Sequence, residues 1–188
     1  MSRAGPAAPA RAPAPARRAA RVRMVVLDVD GVLTDGRLYI GEHGESHKAF
    51  HVRDGFGIEL LRESGIGVAI VTARTSAIVE RRAKELGISP VLQGERDKLA
   101  GLRRAAQGAG LEAADCAYMG DDWPDLPALA QAGFSATVAD APAEVRRRVH
   151  WIAPSPGGAG AVRDLAHFIL RAQRRLDALL AARGGGHV

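Results

Sequence analysis

A handful of acids, a threonine and a lysine stand out by what precedes them. Asp28 and Asp30 follow the apolar run "MVVL", Thr72 ends "VAIV", Lys98 opens a helix-patterned segment after Val91, and Asp121, Asp122 and Asp125 follow "CAYMG". Each type suits phosphoryl transfer. A carboxylate can attack phosphorus and form an acyl phosphate, and Mg2+ takes hard oxygen ligands and offsets repulsion between anions. A hydroxyl and an ammonium can hold the phosphoryl oxygens, over which transition-state charge spreads. Residues two apart on an extended segment point the same way, so Asp28 and Asp30 are expected to face one phosphate, one as nucleophile and one as acid/base. Neighbouring carboxylates in such number raise one another's pKa, which itself argues for a divalent cation.

The elements that must position these residues are legible from periodicity. "VRMVVLDVDG" reads as a buried parallel strand emerging into a loop, and "GRLYIGEHGESHKAF" as two short extended runs around a Gly41-to-Gly44 turn, a hairpin. "DGFGIELLRESG" reads as a short helix, followed by the strand "GVAIVTAR". From Thr75 to Leu86 apolar residues recur at helical spacing, and Gly87 supplies the stop. A strand near Val91, a helix over 96–108, the strand "CAYMG", a helix over 123–132, the strand "FSATV", a helix from Pro142, the extended "HWIAP" and a final helix over 159–180 complete the pattern. Such alternation specifies one α/β domain with a mainly parallel sheet, and in such sheets reactive groups lie at the carboxyl ends of the strands.

Composition narrows the function class. The chain has 188 residues and a net charge of +5, which invites a nucleic-acid reading. Residues 1–23 hold six arginines and no acid, leaving 20 basic against 21 acidic residues for the remainder. A basic arm on a neutral body argues against a dedicated nucleic-acid binder. No apolar run approaches the roughly 18 residues of a membrane span, and no secretory signal is recognisable. The single Cys116 excludes an internal disulfide and fits a cytoplasmic protein, with the thiol expected to pack in a buried strand. The expected organisation is a disordered arm over 1–21, a domain over 22–181 and a flexible tail over 182–188.

The ordered set "DVDGVLTDG", "VTAR", Lys98 and "GDDWPD" resembles the haloacid dehalogenase superfamily of phosphohydrolases. Receiver domains use similar chemistry, but no acidic cluster follows their lysine. The resemblance implies a three-layer Rossmann-like sandwich. Only 43 residues lie between Asp28 and Thr72 and 25 between Thr72 and Lys98, too few for a large cap, so a capless fold with a projecting hairpin is expected. An open site then serves a macromolecule or a small substrate walled in by a second subunit, and unpaired hairpin edges favour the latter.

The stretches "DVDGVLTDGRLYIGEHGESHKAFHVRDGFGI", "LGISPVLQG", "GDDWPDLP" and "GGAGAVRDL" resemble the 3-deoxy-D-manno-octulosonate 8-phosphate phosphatase family over roughly residues 22–175. That likeness implies a Mg2+-dependent homotetramer, its hairpins packed centrally, acting on a sugar-acid phosphate on the route to lipopolysaccharide. It makes Asp28 the nucleophile and Asp30 the acid/base, with Mg2+ on the Asp28 carboxylate, the Asp30 carbonyl and Asp121. Thr72 and Lys98 hold the phosphoryl group, and His51, Val52, Arg53, Asp54, Gly55, Arg74 and Arg82 match substrate-contact positions. Independently, a planar guanidinium fork binds a sugar carboxylate well. Two departures are visible: Ala73 stands where the family carries glycine, and the tail "AARGGGHV" is costly to order.

The remaining candidates have plainer readings. His47 and His51 lack a third ligand for zinc, Trp123 is expected to buttress the acidic loop, arginines 146–148 to be surface charge, and Arg163 to serve either an interface or substrate. Two rival functions share most of these features: a phosphatase of a nine-carbon keto-sugar acid, and a noncatalytic oligomeric module beside a nucleotide-sugar synthetase. A retired site loses a carboxylate or the lysine, and this chain retains them all.

Overall fold

A computed structural model describes residues 15–184; the first fourteen residues of the arm and the last four of the tail lie outside the described residues. Six strands form one wholly parallel sheet: β1 (Met24–Leu27), β4 (Gly67–Val71), β5 (Val91–Leu92), β6 (Cys116–Met119), β7 (Phe134–Thr137) and β8 (Trp151–Ile152), in the order β5-β4-β1-β6-β7-β8. β1, β6 and β7 are buried at every position, as expected of strands covered on both faces. β1 pairs with β4 on one side and β6 on the other, with Leu27 opposite both Ile70 and Met119. The carboxyl ends of these three strands are therefore level, and the loops that leave them meet above β1.

The helices are α1 (Pro15–Ala19), α2 (Val52–Glu63), α3 (Ala77–Glu85), α4 (Lys98–Gly108), α5 (Leu126–Gln131), α6 (Ala143–Arg146), α7 (Ala161–Ala172) and α8 (Leu176–Ala181). α1 and α2 both pack on α7, while α4 packs on α5. The α2–α7 approach is close because Gly57 offers no side chain: a Cβ there would lie 3.0 Å from Arg163 Cα. The anticipated hairpin is a separate two-stranded sheet of β2 (Tyr39–Gly41) and β3 (Gly44–His47). It and α2 are the regular elements between β1 and β4, so no cap covers the sheet edge. Ile40 is 70% exposed and Leu38 48%, leaving the hairpin with apolar side chains in water. None of the helices described is long and apolar enough to cross a membrane.

Two expectations are corrected. Residues 15–21, assigned to a disordered arm, are ordered: Ala19 is fully buried, the Arg18 guanidinium donates to Gly133 O at 3.1 Å, and Gln173 Nε2 donates to Val22 O at 2.8 Å. These partners are over a hundred residues away, so local composition carries no trace of them. The single C-terminal helix is two, broken after Ala172. There the Arg175 N–H reaches back to Leu170 O at 2.9 Å and Arg174 takes a left-handed φ of 57°. That is a helix stop normally marked by glycine, and with arginine in its place the sequence carries no stop signal. Elsewhere the elements fall within a few residues of their expected bounds.

Burying an unpaired charge where Ala19 meets the core tests its role. Ala19→Asp should cost about 3 kcal/mol or more in urea denaturation; an unchanged midpoint would return residues 15–21 to a free arm.

Candidate active site

The first acidic loop is not extended. After Asp28 the chain turns, with the N–H groups of Val32, Leu33 and Thr34 all directed to Val29 O at 2.9 to 3.2 Å. Strand alternation is therefore not what brings the two acids together; the turn buries Val29 and sets Asp28 and Asp30 in one cleft. Gly31, at φ +87°, completes the turn, and a Cβ there would overlap the Asp121 carboxylate. The first and last acidic loops are pressed together at that point, 90 residues apart in the chain.

A cleft of about 210 Å3 is lined by Asp28, Asp30, Thr72, Ala73, Arg74, Lys98, Asp121, Asp122, Pro124 and Asp125. Asp28 is buried and held at both oxygens: Val29 N–H donates to Oδ1 at 2.7 Å, and Lys98 Nζ lies 2.6 Å from Oδ2. Lys98 is the first residue of α4, placed there by the Asp97 cap, whose carboxylate accepts from Ala100 N–H at 3.0 Å. Its ammonium also donates to Val71 O at 3.1 Å, which ties it to the end of β4 beside Thr72. Thr72 is buried and accepts from Arg74 N–H at 3.4 Å. Ala73 avoids the left-handed region, so its methyl is accommodated.

Asp125 has a different task from its neighbours. Oδ1 accepts from Tyr118 O–H at 2.7 Å, and Oδ2 accepts from the backbone N–H groups of Asp121 at 3.1 Å and Asp122 at 3.3 Å. Through these bonds it shapes the loop that presents Asp121. Trp123, expected to buttress that loop, is instead 61% exposed at the rim, because the buried Asp125 already does so.

Asp28, Asp121 and Asp125 offer oxygens that lie within 4.8 Å of one another. Burial, followed by the charge of Asp125, raises Asp28 from 3.8 to about 6 despite Lys98 alongside. Burial, then the charges of Asp125, Asp28 and Asp122, raises Asp121 to about 7. Carboxylates so crowded, on hard oxygen donors and open to a cleft, fit a divalent cation of the Mg2+ type.

The other expected contacts lie elsewhere in the chain. His51, Asp54, Gly55 and Arg82 line a second, nearly filled pocket with about 10 Å3 of free space. His51 caps α2, its Nδ1 accepting from Arg53 N–H at 3.2 Å. The buried Asp54 carboxylate accepts from Gly160 N–H at 3.2 Å and Arg163 N–H at 2.8 Å, closing the start of α7. Val52, 81% exposed, and Arg53 face outward. Arg82 Nε is buried without a hydrogen-bond partner among the described residues. Arg163 lies over the Phe56 ring, 4.8 Å from its centroid. Of the plainer candidates, Cys116 is buried, His47 stacks on Tyr39, and arginines 146–148 are exposed.

Lys48, Glu45 and Ser76 were not anticipated. Lys48 Nζ pairs with Asp30 Oδ1 and lies 3.1 Å from Glu45 Oε1, and Ser76 Oγ donates to Glu45 Oε2. Lys48 and Glu45 are three residues apart, but Asp30 lies 18 residues from Lys48 and Ser76 31 from Glu45, spacings that local pattern does not flag.

The raised carboxylates have a measurable sign. Their folded pKa values exceed the unfolded ones, so the metal-free protein binds extra protons between about pH 4 and 7 and loses stability as pH rises through that window. Asp121→Asn removes one such charge. It should raise the thermal midpoint of metal-free protein at pH 7.5, raise it less at pH 4.5, and diminish the stabilisation that added Mg2+ gives the wild type; a lower midpoint at pH 7.5 would contradict the crowding.

Comparison with known proteins agrees with this geometry. Residues 51–133 match the haloacid dehalogenase-like hydrolase model. The 3-deoxy-D-manno-octulosonate 8-phosphate phosphatase of Yersinia pestis is 44% identical over 161 residues, covering 86% of either chain. The Moraxella catarrhalis enzyme of that name, crystallised with a magnesium ion, a phosphate ion and a KDO molecule, superposes with a TM-score of 0.87 at 43% identity, over 90% of this chain and 97% of its own. The cobalt-bound Haemophilus influenzae phosphatase gives 0.86 at 41% identity, over 89% and 98%. With identity of this order along nearly the whole described fold, and the acidic cleft at the sheet edge, the chain belongs to the 3-deoxy-D-manno-octulosonate 8-phosphate phosphatase family of haloacid dehalogenase-like hydrolases.

Proposed function

We propose that this protein is a Mg2+-dependent phosphatase that hydrolyses 3-deoxy-D-manno-octulosonate 8-phosphate to the free sugar acid and phosphate, in the making of lipopolysaccharide. The observation that carries the reading is the meeting of Asp28, Asp30, Thr72, Arg74, Lys98 and Asp121 in one cleft at the carboxyl edge of a parallel sheet. The relatives' substrate and metal support it.

The Asp28 carboxylate, oriented by Val29 N–H and Lys98, attacks phosphorus. The bond to the sugar oxygen breaks, and the Asp30 carboxyl gives its proton to that oxygen, releasing the sugar acid and leaving an acyl phosphate on Asp28. Asp30, now a carboxylate, takes a proton from water as the water oxygen attacks phosphorus. Phosphate departs, the Asp28 carboxylate is restored and Asp30 is again protonated. Thr72 and Lys98 hold the phosphoryl oxygens, and Arg74, with its side chain 49% exposed, is available to the sugar carboxylate. Asp28, Asp121 and the Asp30 carbonyl would hold Mg2+, which would supply positive charge to offset the anionic phosphoryl group.

The cleft is smaller than the roughly 300–1,000 Å3 of pockets that enclose small ligands. We infer that a second subunit supplies the missing wall, in a cytoplasmic homotetramer joined through the hairpins. His51 to Gly55 and Arg82, set apart from the cleft of their own chain, then serve substrate at a subunit boundary.

Asp28→Asn should lower Mg2+-dependent phosphate release on the order of 10³-fold or more; retained activity would sink the mechanism. On paired eight-carbon and nine-carbon acid phosphates, kcat/KM should favour the former, and equal values would remove the substrate assignment. Light scattering should give the mass of four chains, with Ile40→Asp reducing it and raising KM for the sugar phosphate. A wild-type monomer would overturn the shared wall.

A further inference from the structure

Asp30 is gripped from behind by a residue the reaction scheme does not use. Lys48 immediately follows β3, and its side chain is 2% exposed, although lysine is among the residues least often buried. An ammonium is tolerated in such a place when anions pair with it. Here Asp30 Oδ1 and Glu45 Oε1 do so, and Glu45 is fastened in turn by Ser76 Oγ, the cap of α3. The second Asp30 oxygen faces the cleft side, with Arg74 Nε at 3.9 Å. One oxygen is thus anchored to an enclosed, doubly paired cation, and the other lies beside a half-exposed one.

We propose that Lys48 is the positioning residue for Asp30, holding Oδ1 so that Oδ2 meets the leaving sugar oxygen; this rests on the reading of Asp30 as acid/base. Asp30 stands on the turn beyond β1 with its side chain 21% exposed against 12% for Asp28, and it lacks the backbone N–H and Lys98 contacts that fix Asp28. Proton transfer requires approach to about 2.6–3.2 Å, and misplacement by about 1 Å can cost 10²-fold. Lys48 supplies the missing restraint. Because Lys48 and Glu45 belong to the hairpin arm, the same contacts tie that arm to the acid/base and α3.

The test uses leaving-group dependence, to which a strut that merely holds the fold together is indifferent. A sugar alkoxide needs a proton to depart, whereas p-nitrophenolate departs without one. kcat/KM, which ends at formation of the acyl phosphate, is measured on 3-deoxy-D-manno-octulosonate 8-phosphate and p-nitrophenyl phosphate for wild type, Asp30→Asn, Lys48→Met and Lys48→Arg. Asp30→Asn should lose far more on the sugar phosphate than on the aryl ester. Lys48→Met should follow it, losing about tenfold or more on the sugar phosphate and under about threefold on the aryl ester, and Lys48→Arg should recover part of the loss. If Asp30→Asn is selective and Lys48→Met loses both substrates equally, or neither, the positioning role is overturned while the acid/base reading stands. If Asp30→Asn itself is unselective, the acid/base reading fails and this proposal with it. Should Lys48→Met not fold, Glu45→Gln loosens the same ammonium from a more accessible position; it should show the selective loss on a smaller scale, and an unselective result there overturns the role equally.

Discussion

Mutual repulsion among buried carboxylates is the constraint around which this structure is arranged. Asp28, Asp121 and Asp125 are brought within a few ångströms of one another at the end of the central strands, where burial already disfavours their charged forms. Nothing flexible could hold them so. β1 lies between β4 and β6, in register with both, and its neighbours deliver their loops to one level. Lys98, two backbone N–H groups and the Tyr118 hydroxyl absorb part of the charge. The remainder is left for a cation and a phosphoryl group. The crowding that costs stability is what a divalent cation would relieve.

The acids differ in what already engages them. Asp125 accepts three hydrogen bonds and shapes a loop; Asp28 is oriented at both oxygens while lining the cleft; Asp121 is pushed furthest from its ordinary pKa. Asp30 is separated from this group by a turn and belongs to a second network, running from Arg74 through Lys48 and Glu45 to Ser76. Asp28 and Asp30 are thus two residues apart in the chain and sit in different electrostatic surroundings, the condition under which two carboxyl groups can take opposite tasks. The cleft is small and open, the hairpin exposes Ile40 and Leu38, and Arg82 lines a separate, nearly filled pocket.

Much of this was legible in order and spacing. Alternating strands and helices, acids after the first and fourth β-α strands, and a lysine at a helix start are enough for a parallel α/β domain and for phosphoryl transfer, because strand ends in such sheets converge whatever the intervening chain does. Local rules failed where distant partners decided. Asp30 was expected on an extended segment, but three N–H groups share Val29 O and the chain turns. Trp123 was expected beneath the acidic loop, a place Asp125 fills. Arg174 stops a helix without glycine, and Ala19 is drawn into the core by α7.

By itself the sequence determined which chemical groups are present, the strands that carry them, and the neutral body hidden beneath a net charge of +5. These follow from residue type and from periodicities of two and about 3.6, which are local. Only the tertiary structure decided how each carboxylate is engaged, that the Lys48 side chain is enclosed beside Asp30, and that Arg82 lines a pocket other than the acidic cleft. Each of those depends on burial and on a charge contributed from elsewhere in the chain, and electrostatic energy is set by distance and solvent exposure, which spacing along a sequence does not encode.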